Sequence, residues 1–187
     1  MSHNIIDDMG AHCISLLLQL NSSLISLILK YNCIGQSGLK LILDSLPKNS
    51  TLKTLNLKGQ TPLVVSDPIF GSLQYNSTLT TLNLEANRIG FDSVRNLFES
   101  LQFNTALQTL YLGLRHGLDH TLHTETNSFI LQTLKNNSTL TAIHLNASNL
   151  KDQDAKLLAK SLQFNSTIKI LNLSENNIGV DGAQFIS

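Results

Sequence analysis

Charged residues are scarce in this sequence, and the positive and negative charges balance. Asp, Glu, Lys and Arg make up 14% of the 187 residues, against about 25% in a typical soluble domain. Thirteen basic and thirteen acidic residues give a formal net charge of zero. Because proteins that bind nucleic acids or membrane surfaces usually carry excess positive charge, this balance predicts neither a nucleic acid nor a membrane as a partner.

Cysteines and long apolar runs are scarce as well. Cys13 and Cys33 are the only cysteines, and no C-x2-C spacing that would indicate a structural zinc site is present. Each stands where a small apolar residue would fit, which predicts buried free thiols in a reducing, cytoplasmic compartment. The apolar run at residues 14–20 is too short to span a bilayer and lacks the basic leader of a signal peptide.

The sequence does contain one leucine pattern written six times. Its first positions, residues 24, 52, 79, 107, 140 and 168, recur every 27 or 28 residues with one interval of 33. The copies read Leu24-Leu27-Leu29, Leu52-Leu55-Leu57, Leu79-Leu82-Leu84, Leu107-Leu110-Leu112, Leu140-Ile143-Leu145 and Ile168-Leu171-Leu173. A fixed period of this size predicts a solenoid, in which each unit buries its apolar face by stacking on its neighbours.

Residues 79–101 show how one unit is built. Apolar and polar residues alternate around Leu82 and Leu84, which indicates a short strand with one buried face. Val94, Leu97 and Leu101 then follow at helical spacing. The pattern predicts helices over about 10–18, 38–46, 65–73, 93–101, 126–134 and 154–162, with a stub from Gly182. The fold class expected is an α/β horseshoe with a parallel sheet on the concave face and helices on the convex face.

The repeats resemble the ribonuclease-inhibitor type of leucine-rich repeat, with units of about 28 residues. The pattern Leu-x2-Leu-x-Leu-x2-Asn-x-Ile-Gly that carries the resemblance begins at Leu24, at Leu79 and, with Ile in first place, at Ile168. The resemblance implies a non-enzymatic module that recognises another protein and needs no cofactor. Two alternatives among similar proteins are a bacterial effector acting on a host protein, in the host cytoplasm, and a GTPase-activating regulator of a small GTPase, for which Arg88 and Arg115 are candidates.

The pattern covers residues 1–187 as a single domain of about six repeats. The chain begins near a helix that has no preceding strand, and it stops within a predicted helix. Because repeat proteins need capping units, we expect a fragment of a longer protein or end-to-end self-association with another copy.

Three units depart from the pattern. Gln60, Arg115 and Ser148 stand where the other units have asparagine, so we expect the asparagine ladder between units to be interrupted there. The second unit is one residue short and carries Pro68, which would fit the first turn of its helix.

Asn-Ser-Thr tripeptides recur before the strands, and they are expected to satisfy backbone groups at the turn.

The fourth unit has five extra residues, in a segment that contains His116, His120 and His123. Insertions in solenoids lie in loops on one face, often a functional one. The spacing H-x3-H-x2-H would suit zinc if the segment formed a helical turn, although no fourth ligand is evident. An irregular polar loop is the simpler interpretation.

Outward strand positions should line the concave face and form the partner-binding site. Most of them are small and neutral. Because aromatic residues are enriched at binding hot spots, Tyr111 is the expected anchor. The other candidates are Tyr31, Lys30, Lys58, Glu85, Asn83 and His144.

Catalytic motifs are missing from the sequence. It holds no G-x-S-x-G, P-loop, H-E-x-x-H or dinucleotide-binding fingerprint. The sequence therefore predicts a binding protein and not an enzyme, and it does not identify the partner.

Overall fold

The sheet is built from one short strand per repeat. A computed structural model describes residues 1–60, 64–113 and 120–186, with the backbone alone for residues 120–123. Within these residues the main sheet is parallel, and its strands follow one another in chain order. They are β1 Ser26–Ile28, β2 Thr54–Asn56, β4 Thr81–Asn83, β6 Thr109–Tyr111, β7 Ala142–His144 and β8 Ile170–Asn172. A second, two-stranded sheet pairs β3 Val64–Val65 with β5 Arg88–Ile89.

Strand register aligns equivalent residues of successive coils. Leu27 pairs with Leu55, and Leu55 pairs with Leu82. Because successive side chains of a strand point to opposite faces, every leucine column faces the helices and every intervening column faces outward. This confirms the expected α/β solenoid with the sheet on one side and helices on the other.

Helices follow most strands on the opposite side of the solenoid. They are α1 Asp8–Leu20, α2 Gln36–Ser45, α3 Phe91–Leu101, α4 His120–Leu134, α5 Asp152–Leu162 and α6 Val180–Ile186. Short 3-10 turns occupy Leu46–Lys48 and Gly71–Tyr75. Leu39, Ile42 and Leu43 of α2 are fully buried, as their helical spacing predicts.

The described residues of the second coil, which leave out 61–63, contain no α-helix, so the helix predicted over 65–73 is wrong. Val65 lies in β3, and the first helical turn of the coil begins only at Gly71. Pro68 disfavours helical geometry at Asp67 and cannot donate a backbone hydrogen bond. Phe70, 0% exposed, fills the core where the inner face of a helix would otherwise lie.

A ladder of side-chain amides joins the strand-to-helix loops. Asn87 donates to Leu57 O and Leu84 O, and its own Oδ1 accepts from Gln60 N at 2.8 Å. Gln60 continues the ladder by donating to Leu29 O at 2.8 Å. The expected interruption at Gln60 is therefore wrong, since the longer glutamine side chain reaches the same carbonyls. Arg115 lies outside the described residues.

Ser148 does change the loop ladder in the fifth coil. Its backbone N–H still donates to Asn176 Oδ1 at 2.9 Å. Its backbone carbonyl accepts from Asn127 Nδ2, a side chain of α4, at 3.2 Å. A helix residue thus supplies a hydrogen bond to this loop.

A second ladder, here called the turn ladder, joins the helix-to-strand turns. Its members are Asn49, Asn76, Asn104, Asn137 and Asn165. Each Oδ1 accepts backbone N–H groups two and three residues ahead, and each Nδ2 donates to carbonyls of the preceding coil. The asparagines of the Asn-Ser-Thr tripeptides thus satisfy backbone groups at the turns, as expected, and also bind successive coils together.

The two cysteines are not both enclosed. Cys33 is half-buried, whereas Cys13 is exposed and both are free thiols. The expectation of two buried thiols is therefore wrong for Cys13, because α1 turns residues 11, 14, 15 and 18 inward and leaves position 13 on its outer side. Among the described residues no helix has the length and apolar character needed to cross a membrane.

Candidate protein-binding surface

The outward strand positions form columns along the concave face. One column runs through Asn56, Asn83, Tyr111, His144 and Asn172. Two residues after the end of each strand, a second column contains Lys30, Lys58, Glu85, Gly113, Asn146 and Ser174. Six of the seven candidates named from the sequence lie in these two columns.

Tyr111 and His144 stack on one another at the middle of the sheet. Their ring centroids are 4.0 Å apart and the ring planes differ by 17°. The parallel register pairs the two residues directly, which fixes the rings side by side. Both side chains are only half-buried, so the pair presents a rigid, partly apolar surface to a partner.

Lys58, Glu85 and Asn83 form a polar cluster next to this pair. Lys58 Nζ lies 3.0 Å from Glu85 Oε2, and Asn83 Oδ1 accepts from Glu85 N at 3.0 Å. The hydrogen bond to Glu85 raises the pKa of Lys58 despite partial burial. Glu85 is 8% exposed and Asn83 is 9% exposed, so Lys58 offers more free surface than its two neighbours.

Tyr31 and Lys30 lie at the first coil. Tyr31 adopts a left-handed backbone conformation with φ of 55°, and its ring covers Gly59, where a Cβ atom would lie 2.6 Å from the ring. The His3 ring lies 4.6 Å from the Tyr31 ring. Tyr31 is thus held by its neighbours while 40% of it remains exposed.

Sequence reasoning missed a depression beside the polar cluster. It has a volume of about 180 Å³ and is lined by Lys58, Glu85, Ala86, Gly113, Asn146, Ala147 and Glu175. Gly113 allows a close approach of the two backbones there, because a Cβ atom would lie 2.7 Å from Asn146 O. Asn146 Oδ1 is buried and has no hydrogen-bond partner within the described chain. Leaving such a buried oxygen without a partner costs free energy.

His144 makes this face sensitive to pH. Burial lowers the pKa of His144 below its ordinary value of 6.5, although the Glu85 carboxylate opposes the shift. Below pH 6.5 the unfolded chain therefore binds a proton at this site before the folded chain does. The stability that depends on neutral His144 is complete above that pH and decreases as the pH falls.

We expect His144→Gln to reduce the loss of stability between about pH 7.5 and pH 5.5, measured by urea unfolding. His12→Gln, which removes an exposed imidazole, serves as the matched control and should lose as much stability as the wild type. An equal loss in the wild type and His144→Gln would contradict the prediction.

Metal and catalytic candidates are not brought together in the described part of the chain. No group of three or more His, Cys, Asp or Glu residues there could hold a metal ion. His116 and the side chains of His120 and His123 lie outside the described residues, as does Arg115. Arg88 lies exposed in β5.

Comparisons with known proteins agree with this architecture. A family model described as Leucine Rich repeat matches residues 20–43, 75–97 and 164–187. The structure of "Leiomodin-1 Actin-Binding Site 2" is similar at 20% identity with a TM-score of 0.59, covering 80% of this chain and 86% of that one.

An internalin from Listeria monocytogenes is also similar, at 20% identity with a TM-score of 0.52. The match covers 94% of this chain but only 48% of the internalin chain, so the chain spans about half the length of that protein. At these identities the likeness shows a shared fold alone. The search of curated proteins gives no match.

Proposed function

Because the chain folds as a leucine-rich repeat domain, we propose that it is a protein-recognition module that binds its partner on the concave sheet. The leucine-rich repeat is typically an interaction scaffold without catalytic activity. The α-helices that follow most strands support the further proposal that the repeats are of the ribonuclease-inhibitor type. The similar leiomodin-1 segment is named as an actin-binding site, which favours a protein as the class of partner.

The stacked Tyr111–His144 pair is the observation that carries this proposal. Aromatic side chains contribute large contact areas at a low cost in conformational entropy and are enriched at interface hot spots. Stacking at 4.0 Å already restricts both rings, so little further freedom would be lost on binding. The pair lies on the fourth and fifth of the six coils of the concave sheet, where a partner could contact both sides of it.

The neighbouring depression suggests the chemistry of the contact. Its volume of about 180 Å³ suits one side chain or part of a larger one. Asn146 lines this space with a side-chain oxygen that has no hydrogen-bond partner within the described chain, and the carboxylates of Glu85 and Glu175 line the same space. We therefore propose that the partner inserts a hydrogen-bond donor here, with a lysine or arginine side chain favoured by charge.

Tyr111→Ala tests the location of the site. We expect it to weaken binding to an isolated partner by about 30-fold or more, the effect of removing one aromatic hot spot. Partners would be isolated from cell lysate on the wild-type protein, and the dissociation constants would then be measured with purified components. Circular dichroism would check that each variant is folded.

Tyr75→Ala is the matched control, because Tyr75 is 71% exposed and lies in a helix-to-strand turn away from the sheet. It should bind the partner as the wild type does. An unchanged dissociation constant for Tyr111→Ala, or an equal loss for both variants, would contradict the concave site.

A further inference from the structure

The helix-to-strand turns form an edge with charges of one sign. This turn edge comprises residues 18–25, 46–53, 73–80, 101–108, 134–141 and 162–169. It contains Lys48, Lys53, Lys135 and Lys169 and no acidic residue. Acidic residues are instead found in the strand-to-helix loops and first helical turns, for example Glu85, Asp92 and Asp152. The net charge of the chain is therefore zero because regions of opposite charge cancel one another.

Nearby acidic groups on the helices are already neutralised. Asp44 of α2 pairs with Lys40, and Glu99 of α3 pairs with Arg95 at 2.8 Å. Lys160, in the last turn of α5, adds a further cation close to the turn edge. The local excess of positive charge is therefore not cancelled by the helices that end there.

Three aromatic rings project from the same edge. Tyr75, Phe103 and Phe164 are 71%, 69% and 76% exposed, although the chain has only seven Phe and three Tyr. Each immediately precedes a member of the turn ladder. Because the asparagine side chain is held between coils, the residue before it is directed outward, and the three rings occupy equivalent positions along one edge.

A depression of about 260 Å³ lies beside the last ring. It is lined by Gln132, Lys135, Leu157, Lys160, Ser161 and Phe164. Lys135 and Lys160 are exposed and have no ion-pair partner among the residues described here. Two cations therefore flank a space that also has apolar walls, as an anionic headgroup attached to an acyl chain would require.

From this arrangement we propose that the turn edge docks on an anionic lipid bilayer, with the three rings inserted at the interface and the lysines on the headgroups. Aromatic rings and lysines are the side chains that anchor proteins at membrane interfaces. All three rings are largely exposed, and a deformable bilayer can surround such rings more readily than a folded protein can. Asn136 interrupts the ring series, which disfavours continuous base stacking of a single-stranded nucleic acid.

Vesicle binding by the full chain tests the proposal. We expect co-sedimentation with phosphatidylcholine vesicles that contain about 30% phosphatidylserine, and little with phosphatidylcholine alone, because each lysine contributes only at a negative surface. The double variant Phe103→Ser, Phe164→Ser should reduce the partition coefficient by about tenfold or more. Lys135→Gln and Lys160→Gln should each reduce it by about fivefold.

A spectroscopic readout reports insertion directly. The chain has no tryptophan, so Phe103→Trp introduces a single indole that can be excited selectively over the tyrosines, and its emission should shift to the blue when anionic vesicles are added. Tyr111→Trp provides the matched control on the concave face and should show no shift. Tyr111→Ala should leave vesicle binding unchanged, which separates this proposal from the concave protein site.

Three results would overturn bilayer docking. They are no binding of the wild type to anionic vesicles, equal binding by the ring double variant, and unchanged emission of the Phe103→Trp variant. Binding of a fluorescent oligouridylate or a polyglutamate peptide without vesicle binding would also overturn it and would assign the edge to that partner class. None of these results would affect the proposed concave site.

Discussion

Replacing Asn104 with alanine should lower the free energy of unfolding by about 3 kcal/mol or more. Asn104 Nδ2 donates to Leu73 O at 2.7 Å and to Asn76 O at 2.9 Å. Its Oδ1 accepts from Ala106 N and Leu107 N at 3.0 and 2.8 Å. Since the residue is 3% exposed, alanine would leave several backbone groups without partners and largely shielded from water, which makes this polar substitution unusually costly.

Urea unfolding of the purified variant measures this effect. Thr105→Ala alters the adjacent exposed residue of the same turn and should change stability by about 0.5 kcal/mol or less. A loss below about 1 kcal/mol for Asn104→Ala would show that water replaces these hydrogen bonds and that the turn ladder contributes little.

Phe70→Ala should also be severely destabilising, at about 3 to 5 kcal/mol. No α-helix is present in the described part of the second coil, and Phe70 occupies the core together with Ile69 and Leu73, which are 3% and 1% exposed. Removing a fully buried ring in that coil creates a cavity that rigid neighbouring coils cannot easily fill. The backbone of the coil is also anchored here, because Phe70 N donates to Asn96 Oδ1 at 2.7 Å.

Thermal and urea unfolding would compare Phe70→Ala with Phe70→Leu, which keeps most of the apolar volume and should cost roughly half as much or less. Tyr75→Ala removes an exposed ring from the same coil and should be nearly neutral. Similar costs for Phe70→Ala and Tyr75→Ala would contradict the role assigned to Phe70 in the core.

The sheet could be predicted from the sequence because its determinants are periodic. The leucine pattern places Leu82 and Leu84 on the buried face whatever their neighbours are, and the pairing of Leu55 with Leu82 follows from equal positions in successive repeats. The helices of the regular coils follow for the same reason. Because the same unit recurs, several copies of the pattern predict the same structure. An atypical residue in one coil therefore changes the predicted fold little.

The second coil could not be predicted in this way. Its apolar residues fit helical spacing, but Pro68 and a coil one residue shorter favour β3 and a 3-10 turn instead. Gln60 was expected to interrupt the loop ladder, yet its amide reaches Leu29 O. In both cases the outcome depends on local geometry that a pattern of residue types does not contain.

The candidate site was predicted only in part. Equal repeat positions place Tyr111 next to His144, and Lys58 next to Glu85, so these neighbours are readable from the sequence. The unused Asn146 oxygen and the space around it depend on how Gly113 and Asn146 pack. The projecting rings of the turn edge did have a sequence signal, the Gln-aromatic-Asn tripeptides that end at Asn76, Asn104 and Asn165.

The turn ladder also restricts how this protein can be manufactured. Asn49, Asn76, Asn137 and Asn165 each begin an Asn-x-Ser/Thr tripeptide, the acceptor for N-linked sugars in a eukaryotic secretory pathway. The sugar is attached to Nδ2, and in the fold that same nitrogen donates to carbonyls of the preceding coil. A glycan added to the nascent chain would therefore hold adjacent coils apart, so an expression host that secretes this chain through such a pathway would modify the atoms on which its assembly depends.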